Sequence, residues 1–142
     1  MVTQKVKKGA FMRILIVDDD YISRTQLKAL LSGYGDCDAV PEGRLALEMI
    51  ECSYNENVPY DLITMDIDMP GMIGQEVVRE IRNLEANQKV DFSEEVKILM
   101  ITVKDDPKSI MTSFKEGCEW VLKKPVTPDQ IKETLTNLGF LK

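Results

Sequence analysis

Five short apolar runs alternate along the chain with segments whose apolar residues recur every three or four positions. Runs of this length favour buried strands, and the intervening segments are typical of amphipathic helices. Strands that alternate regularly with helices predict a parallel sheet that is covered by helices on both faces. The predicted strands span residues 13–17, 37–40, 60–66, 97–102 and 119–123.

Capping and helix-breaking residues mark where the predicted helices begin and end. Asp106-Pro107 places an N-cap acid before a proline at the first helical position, and Thr127-Pro128 begins a capping box that Gln130 completes. Glycines follow the first, fourth and fifth helical segments. Segment 85–95 is polar and long for a connection, so we expect a helix extension followed by a surface loop.

The alternation predicts one doubly wound domain, and 142 residues are enough to bury one core. We predict a flavodoxin-like (βα)5 three-layer α/β sandwich with the parallel strand order 2-1-3-4-5. In that order the carboxyl ends of strands one and three are neighbours. Asp18 and Asp19, which follow the first strand, would then face Asp66, which ends the third.

Three carboxylates that converge at one sheet edge require a compensating charge. Two like charges about 4 Å apart repel by roughly 4 kcal/mol at an effective dielectric constant of 20. One pKa must rise or a cation must bind, and an oxygen-rich pocket suits Mg²⁺. Asp66, the single acid at the end of the third strand, would be placed as a nucleophile that forms an aspartyl phosphate.

Two further polar residues end predicted strands at the same edge of the sheet. Thr102 closes the fourth strand and Lys124 follows the fifth. Each has an ordinary explanation alone, since threonine favours strands and a lysine before proline is usually a solvated loop residue. Together with the three acids they would supply the hydroxyl donor and the cation that phosphoryl transfer needs.

Composition excludes several functions. Histidine is absent, which rules out an imidazole base and a phosphohistidine on this chain. The net charge of −6 argues against direct binding to nucleic acid or to an anionic membrane. No apolar stretch approaches the roughly 20 residues of a spanning helix. Residues 1–10 contain no apolar run, so we do not expect them to be a secretory signal. Cys37, Cys52 and Cys118 form no CxxC pair, so we expect buried free thiols in a reducing cytosol.

Four ordered motifs carry a resemblance to a known family. They are Ile-Leu-Ile-Val-Asp-Asp, Asp-Ile-Asp-Met-Pro-Gly, Met-Ile-Thr and Lys-Lys-Pro. In this order and spacing they resemble the receiver domain of two-component response regulators of the CheY type, expected here as a stand-alone domain. The resemblance covers residues 13 to about 141. It implies a receiver domain over residues 13–142, preceded by an N-terminal tail over residues 1–12.

The resemblance implies a role for each acid. Asp66 would accept a phosphoryl group from the phosphohistidine of a sensor histidine kinase or of a histidine phosphotransfer protein. A Mg²⁺ or Mn²⁺ ion would be held directly by Asp19, Asp66 and the backbone carbonyl of Asp68, with Asp18 acting through water. Such a chain is a phosphorelay switch and not an enzyme, beyond self-phosphorylation from small donors and self-dephosphorylation.

The resemblance also assigns the two residues that contact the phosphoryl group. Thr102 would bind a phosphoryl oxygen and report phosphorylation by moving inward, and Lys124 would pair with the phosphate. The peptide bond between Lys124 and Pro125 is expected to be cis. Partner binding would change at the face near the fourth helix and fifth strand, which would engage a downstream protein in the cytoplasm. Whether phosphorylation drives homodimerisation through this face is left open by the sequence.

Four positions near the site depart from the family pattern or tune it. Val103 stands where the family usually has alanine or glycine, and its bulk would narrow access to the phosphoacceptor. Val121 occupies the place of the usual aromatic switch residue, and Trp120 would point to the other face of its strand. Asp68 and Lys104 have opposite charges, and we expect a partly exposed ion pair that tunes phosphoryl lifetime by gating water.

Three alternative functions stay open at this stage. A haloacid-dehalogenase-like phosphatase would use Asp66 and Asp68 as its DxD motif, although that motif normally opens the chain. An FMN-binding flavodoxin would need a hydroxyl-rich phosphate loop after the first strand, where this chain has Asp18, Asp19 and Asp20. A receiver fold that binds partners without being phosphorylated is the third alternative, and Val103 gives it some support.

Overall fold

The computed structural model describes residues 11–104 and 106–142. It contains five strands, five α-helices and one short 3₁₀ helix. The order is β1 Met12–Val17, α1 Tyr21–Leu31, β2 Gly35–Val40, α2 Gly43–Asn55, β3 Leu62–Met65, α3 Gly74–Asn87, the 3₁₀ helix Phe92–Glu94, β4 Lys97–Thr102, α4 Pro107–Glu116, β5 Trp120–Lys123 and α5 Pro128–Asn137.

The strands form one parallel sheet in the order β2-β1-β3-β4-β5, which confirms the predicted flavodoxin-like topology. The register aligns the strand ends that matter for function. Val17 at the end of β1 pairs with Met65 at the end of β3, and Met65 pairs in turn with Met100 in β4. The residues that follow β1 and β3 therefore emerge side by side at the carboxyl edge.

Two apolar cores lie on opposite faces of the sheet. Alternate strand residues such as Leu15 and Ile63 pack beneath α2 and α3. Their neighbours Ile14 and Leu62 pack beneath α1 and α5. Because β1, β3 and β4 are covered on both faces, their sequences are almost continuously apolar, as parallel strands inside a sheet require.

The predicted helix boundaries agree with the observed caps. Asp106 accepts a hydrogen bond from the Ser109 amide at the start of α4, and Thr127 forms a capping box with Gln130 at the start of α5. Gly117 ends α4 with a φ of 117° in the left-handed region, which glycine adopts without steric cost. Asp20 caps α1 by accepting from the Ser23 amide.

Several predicted boundaries were wrong by a few residues. Met12, predicted as the end of the tail, is the first residue of β1 because it pairs with Gly35. That pairing also starts β2 two residues earlier than predicted. Strand β3 is shorter than predicted and consists of Leu62–Met65. Segment 85–95 continues α3 as far as Asn87, as expected, and then forms the 3₁₀ helix. Residues 1–10 of the predicted tail lie outside the described residues.

The expectation that all three thiols are buried was wrong. Cys118 is buried, Cys37 is half-buried and Cys52 is exposed, although none of them forms a disulfide. Cys52 is exposed because α2 buries the face that carries Ala46 and Ile50, and Cys52 lies off that face. Within the described part of the chain, no helix is long and apolar enough to cross a membrane.

Candidate phosphoacceptor site

The carboxyl edge of the sheet brings the predicted acids together. Asp66 follows β3 directly, and its amide donates to the Val17 carbonyl at 3.0 Å, so it lies beside the start of the β1–α1 loop. One carboxylate oxygen from each of Asp18, Asp19 and Asp66 lies within 4.8 Å of the others. Asp18 and Asp66 are only 1% and 6% exposed, whereas Asp19 is exposed. The strand register therefore creates the acidic cluster that the sequence predicted.

Lys124 places its ammonium between the two buried acids. Its Nζ atom lies 2.7 Å from Asp18 Oδ2 and 3.5 Å from Asp66 Oδ2. The lysine is thus bound more closely to Asp18 than to the predicted phosphoacceptor. One ammonium faces three carboxylates, and the cluster keeps a net negative charge that would attract a cation.

The charge imbalance is visible in the pKa of Asp66. The pKa of this carboxyl is raised from 3.8 to about 6, chiefly by burial; Lys124 opposes the rise, and the charges of Asp18 and Asp19 add to it. Burial lowers the pKa of Lys124, but its contacts with Asp18 and Asp66 outweigh burial and raise that pKa overall. The lysine therefore stays charged, and the Asp66 carboxylate is poorly stabilised.

The donor set of this pocket fits a hard divalent cation. Mg²⁺ binds oxygen ligands, usually one or two carboxylates together with water and phosphoryl oxygens. The clustered oxygens of Asp18, Asp19 and Asp66 are of that kind. Sulfur or nitrogen ligands are absent from this cluster, which disfavours softer metals such as zinc. Receiver domains bind Mg²⁺ at an acidic pocket of this type.

The last residue of β4 and the two residues that follow it lie at the border of the site. Thr102 is fully buried, and its Oγ1 accepts a hydrogen bond from the Lys104 amide at 2.9 Å. Val103 is 63% exposed and lines a groove of about 660 Å³ between α1 and the loop after β5. Lys104 Nζ lies 3.6 Å from Asp68 Oδ1, which is the partly exposed ion pair that the sequence predicted.

Val121 and Trp120 of β5 have different surroundings, as expected for neighbouring residues of a strand. Val121 packs against the core beneath α2 and α3. Trp120 is 53% exposed and contacts Phe114 of α4 edge-on, with ring centroids 6.0 Å apart. The aromatic surface of β5 therefore lies against α4. The peptide bond between Lys124 and Pro125 is cis.

Two residues that shape the site were missed in the sequence. Arg24 of α1 donates from Nη1 to the Asp18 carbonyl at 2.8 Å. Gly74 donates from its amide to the Ile67 carbonyl at 2.8 Å, and any side chain there would collide with the Asp66 carbonyl. The glycine before α3 was a usable signal, since a close backbone approach often requires glycine. No feature of the sequence around Arg24 indicated that it would contact the site.

This fold and this site define a class of protein, the receiver-type phosphoacceptor with an acidic pocket at the switch point of a parallel sheet. The chain belongs to the response regulator receiver domain family, whose sequence profile matches residues 14–136.

Individual relatives agree with this assignment. The chain is 30% identical over 129 residues to the chemotaxis protein CheY of Thermotoga maritima, covering 89% of this chain and 97% of that protein. It is 29% identical to a hybrid signal transduction histidine kinase I of Dictyostelium discoideum, of which it covers only 7%. A solved structure of the histidine kinase CKI1 receiver domain from Arabidopsis thaliana, complexed with Mg²⁺ and BeF₃⁻, matches with a TM-score of 0.76, 26% identity and 91% coverage of both chains.

Proposed function

We propose that this chain is a Mg²⁺-dependent phosphorelay switch in which Asp66 carries the phosphoryl group. The observation that carries the proposal is the buried Asp66 carboxylate, clustered with Asp18 and Asp19 and facing the Lys124 ammonium. The phosphoryl group comes from another molecule, because this chain has no histidine. Membership of the receiver family favours the phosphohistidine of a sensor histidine kinase or of a histidine phosphotransfer protein as the donor. Receiver domains receive phosphoryl groups from histidine kinases and bind downstream targets.

The transfer step needs a nucleophile and charge stabilisation. A carboxylate oxygen of Asp66 forms a bond to phosphorus as the bond from phosphorus to the donor imidazole nitrogen breaks. The electron pair of that bond stays on the imidazole, which then takes up a proton. Asp19, Asp66 and the Asp68 carbonyl would hold Mg²⁺, with Asp18 acting through water, and the ion would supply positive charge to the phosphoryl oxygens.

Residues of this chain supply the remaining stabilisation. Lys124 already lies within 3.5 Å of Asp66, and a short shift away from Asp18 would pair its ammonium with a phosphoryl oxygen. The Thr102 hydroxyl would exchange its present contact with the Lys104 amide for a phosphoryl oxygen. Breaking that contact would release the start of the loop between β4 and α4, which gives phosphorylation a route to α4.

The output surface in this proposal is the face of α4 and β5. Gln75 at the start of α3 donates to the Ser109 carbonyl at 2.9 Å and lies 3.2 Å from Ser113 Oγ, which ties α4 to the segment after Asp66. Phe114 and Trp120 expose aromatic surface on the same face. This face would bind a downstream protein in the cytoplasm, without direct contact to nucleic acid or membrane. Phosphorylation-dependent homodimerisation through it is tested by sizing the phosphorylated chain.

Phosphorylation from a small donor tests the proposal. Wild type incubated with Mg²⁺ and acetyl phosphate should gain the mass of one phosphoryl group, and Asp66→Asn should not. Asp61→Asn is the matched control, because Asp61 is a buried acid that precedes β3 at the opposite sheet edge. No adduct on the wild type, or an equal adduct on Asp66→Asn, would contradict the proposed role of Asp66.

The same reaction separates the switch from a phosphatase. A haloacid-dehalogenase-like enzyme would need Asp68 beside the scissile bond, but the Asp68 carboxylate is about half exposed and pairs with Lys104. We expect at most slow release of phosphate from the aspartyl phosphate of Asp66. Continuous turnover of phosphomonoesters that Asp68→Asn abolishes would favour the phosphatase instead.

A further inference from the structure

Every polar group of Asp18 makes a contact, and together these contacts fix the backbone where the chain passes from Asp18 to Asp19. Its amide donates to the Val40 carbonyl at 3.1 Å. Its carboxylate accepts from the Asp20 amide at 2.9 Å through Oδ1 and faces Lys124 at 2.7 Å through Oδ2. Its carbonyl accepts from Arg24 Nη1 at 2.8 Å. Only the last contact acts on the peptide bond that leads to Asp19.

Arg24 lies near the N-terminus of α1, where the helix does not stabilise a positive charge. It is in the first turn of α1, and its amide donates to the Asp20 carbonyl at 2.9 Å. Positive charge near a helix N-terminus is disfavoured by the helix dipole. The guanidinium nevertheless folds back toward the N-terminus, half-buried, past the Tyr21 ring at 5.7 Å. Its hydrogen bond to Asp18 offsets that cost.

We propose that Arg24 is a positioning residue of the phosphoacceptor site. The Asp18 carbonyl and the Asp19 amide share one planar peptide, so fixing the carbonyl fixes the direction in which the chain enters Asp19. Asp19 is exposed, in contrast to the buried Asp18 and Asp66, and its direction depends on this peptide. Arg24 thereby orients the Asp19 carboxylate toward Asp66. This inference rests on the proposed binding of Mg²⁺ by Asp19 and Asp66.

A positioning role for Arg24 and a purely electrostatic effect of its charge predict opposite changes in Mg²⁺ affinity when Arg24 is replaced. A positive guanidinium near three carboxylates weakens the attraction of a second cation, so losing only its charge would tighten Mg²⁺ binding. Losing its hold on the peptide would instead release Asp19 and weaken Mg²⁺ binding. Residues that orient metal ligands typically change metal affinity by about 10- to 100-fold when they are replaced.

Two variants and one control separate these effects. Arg24→Met keeps most of the aliphatic stem, and Arg24→Gln keeps a polar but shorter side chain; neither can reach the Asp18 carbonyl. Lys28→Ala is the control, because Lys28 is an exposed cation one turn further along α1. Each folded protein is titrated with Mg²⁺ alone while the backbone amide resonances of Asp19 and Asp66 are followed by NMR. Melting temperatures are measured in parallel without metal.

We expect both Arg24 variants to bind Mg²⁺ about 10-fold more weakly than wild type, and Lys28→Ala to bind as wild type or slightly more tightly. The Asp20 amide, which donates to the Asp18 carboxylate, should exchange its hydrogen faster in the Arg24 variants without metal. Equal or tighter Mg²⁺ binding by both variants would overturn the positioning role while leaving the proposed function intact. If wild type itself binds no Mg²⁺, the proposed function fails and the inference falls with it.

Discussion

Two charged clusters lie at opposite edges of the same sheet, and each places three carboxylates around one cation. At the carboxyl edge, Asp18, Asp19 and Asp66 cluster together, and Lys124 pairs with Asp18 and Asp66. At the amino edge, three glutamates surround Arg82 of α3. These glutamates are Glu85 of the same helix, Glu95 before β4 and Glu119 before β5. The composition of the two clusters is alike, but their hydrogen bonding is not.

The cluster around Arg82 is tied to the backbone. Arg82 donates to the Val96 carbonyl at 3.0 Å and to the Gly117 carbonyl at 2.8 and 3.1 Å. Glu85, which is 1% exposed, accepts from Arg82 at 2.6 Å and from the Val96 amide at 2.8 Å. Glu119 accepts from the Ile98 amide through Oε1. Each buried charge therefore has both an ionic partner and a hydrogen bond to the main chain.

Among the residues that the structure describes, no backbone group donates to the carboxylate of Asp66, the central acid of the other cluster. Asp18 accepts from the Asp20 amide, whereas the Asp66 carboxylate is approached by the Lys124 ammonium at 3.5 Å. Buried charges are stabilised when hydrogen bonds satisfy them and are costly otherwise. Hydrogen bonds to the main chain therefore offset part of the cost of burying Glu85, although burial still raises its pKa, whereas the Asp66 carboxylate has no such support among the described residues.

The largest expected effect comes from removing the cation of the supported cluster. Arg82→Ala leaves Glu85 buried without its ionic partner, so the free energy of unfolding should fall by about 3 kcal/mol in a denaturant titration. Arg79→Ala is the control, because Arg79 pairs with Glu76 and Glu116 at the surface and should change stability by less than about 1 kcal/mol. Equal losses in both variants would remove the contrast between the two edges.

At the other edge, neutralising the central acid should stabilise the fold. The folded pKa of Asp66 is raised from 3.8 to about 6, so the folded state holds its proton more tightly and loses stability as pH rises between these values. Asp66→Asn avoids this loss and should be more stable than wild type by about 2–3 kcal/mol at pH 7 without metal. The difference should shrink toward zero near pH 3. A variant no more stable than wild type at pH 7 would mean that the carboxylate is well satisfied.

Mg²⁺ should stabilise the protein through the cluster of Asp18, Asp19 and Asp66, and not through the cluster around Arg82. At ten times its dissociation constant the ion should add about 1.4 kcal/mol to the unfolding free energy of wild type. Chelation should reverse the gain. Arg82→Ala should keep the Mg²⁺ response because its change lies at the opposite edge, whereas Asp66→Asn should lose most of it. A response of the same size in Asp66→Asn would place the ion elsewhere.

The smallest effect concerns the ion pair at the rim of the site. Asp68 and Lys104 are both about half exposed, so their pair is worth at most about 1 kcal/mol. If this pair limits the access of water to the aspartyl phosphate, phosphorylated Lys104→Ala should release phosphate up to about 5-fold faster than wild type. The control Lys108→Ala, a change in α4, should release phosphate at the wild-type rate. An unchanged rate in Lys104→Ala would exclude the gate.

The site was predictable to the extent that it depends on strand ends. Asp18, Asp66, Thr102 and Lys124 each follow or close an apolar run, and parallel strands bring such positions to one edge. The alternation of apolar runs with amphipathic helices therefore predicted both the parallel sheet and the residues that lie next to Asp66. Side-chain periodicity also predicted that Trp120 would lie away from the face of Val121.

Other features depend on contacts between distant parts of the chain. Glu85 and Glu95 lie in a segment that appeared polar and solvated, yet the fold buries Glu85 because Arg82, Val96 and the ends of α4 and β4 converge there. The exposure of Cys52 follows in the same way from the face that α2 buries.

The sequence by itself determined the sheet, its order and the acids at its carboxyl edge, because hydrophobic periodicity and short connections allow few topologies. Only the tertiary structure decided which buried charges are satisfied. It placed Lys124 nearer Asp18 than Asp66, set Arg24 on the Asp18 carbonyl and gave Glu85 and Glu119 their backbone partners. Hydrogen bonds form between groups a few ångströms apart, and such distances are set by packing and not by spacing along the chain.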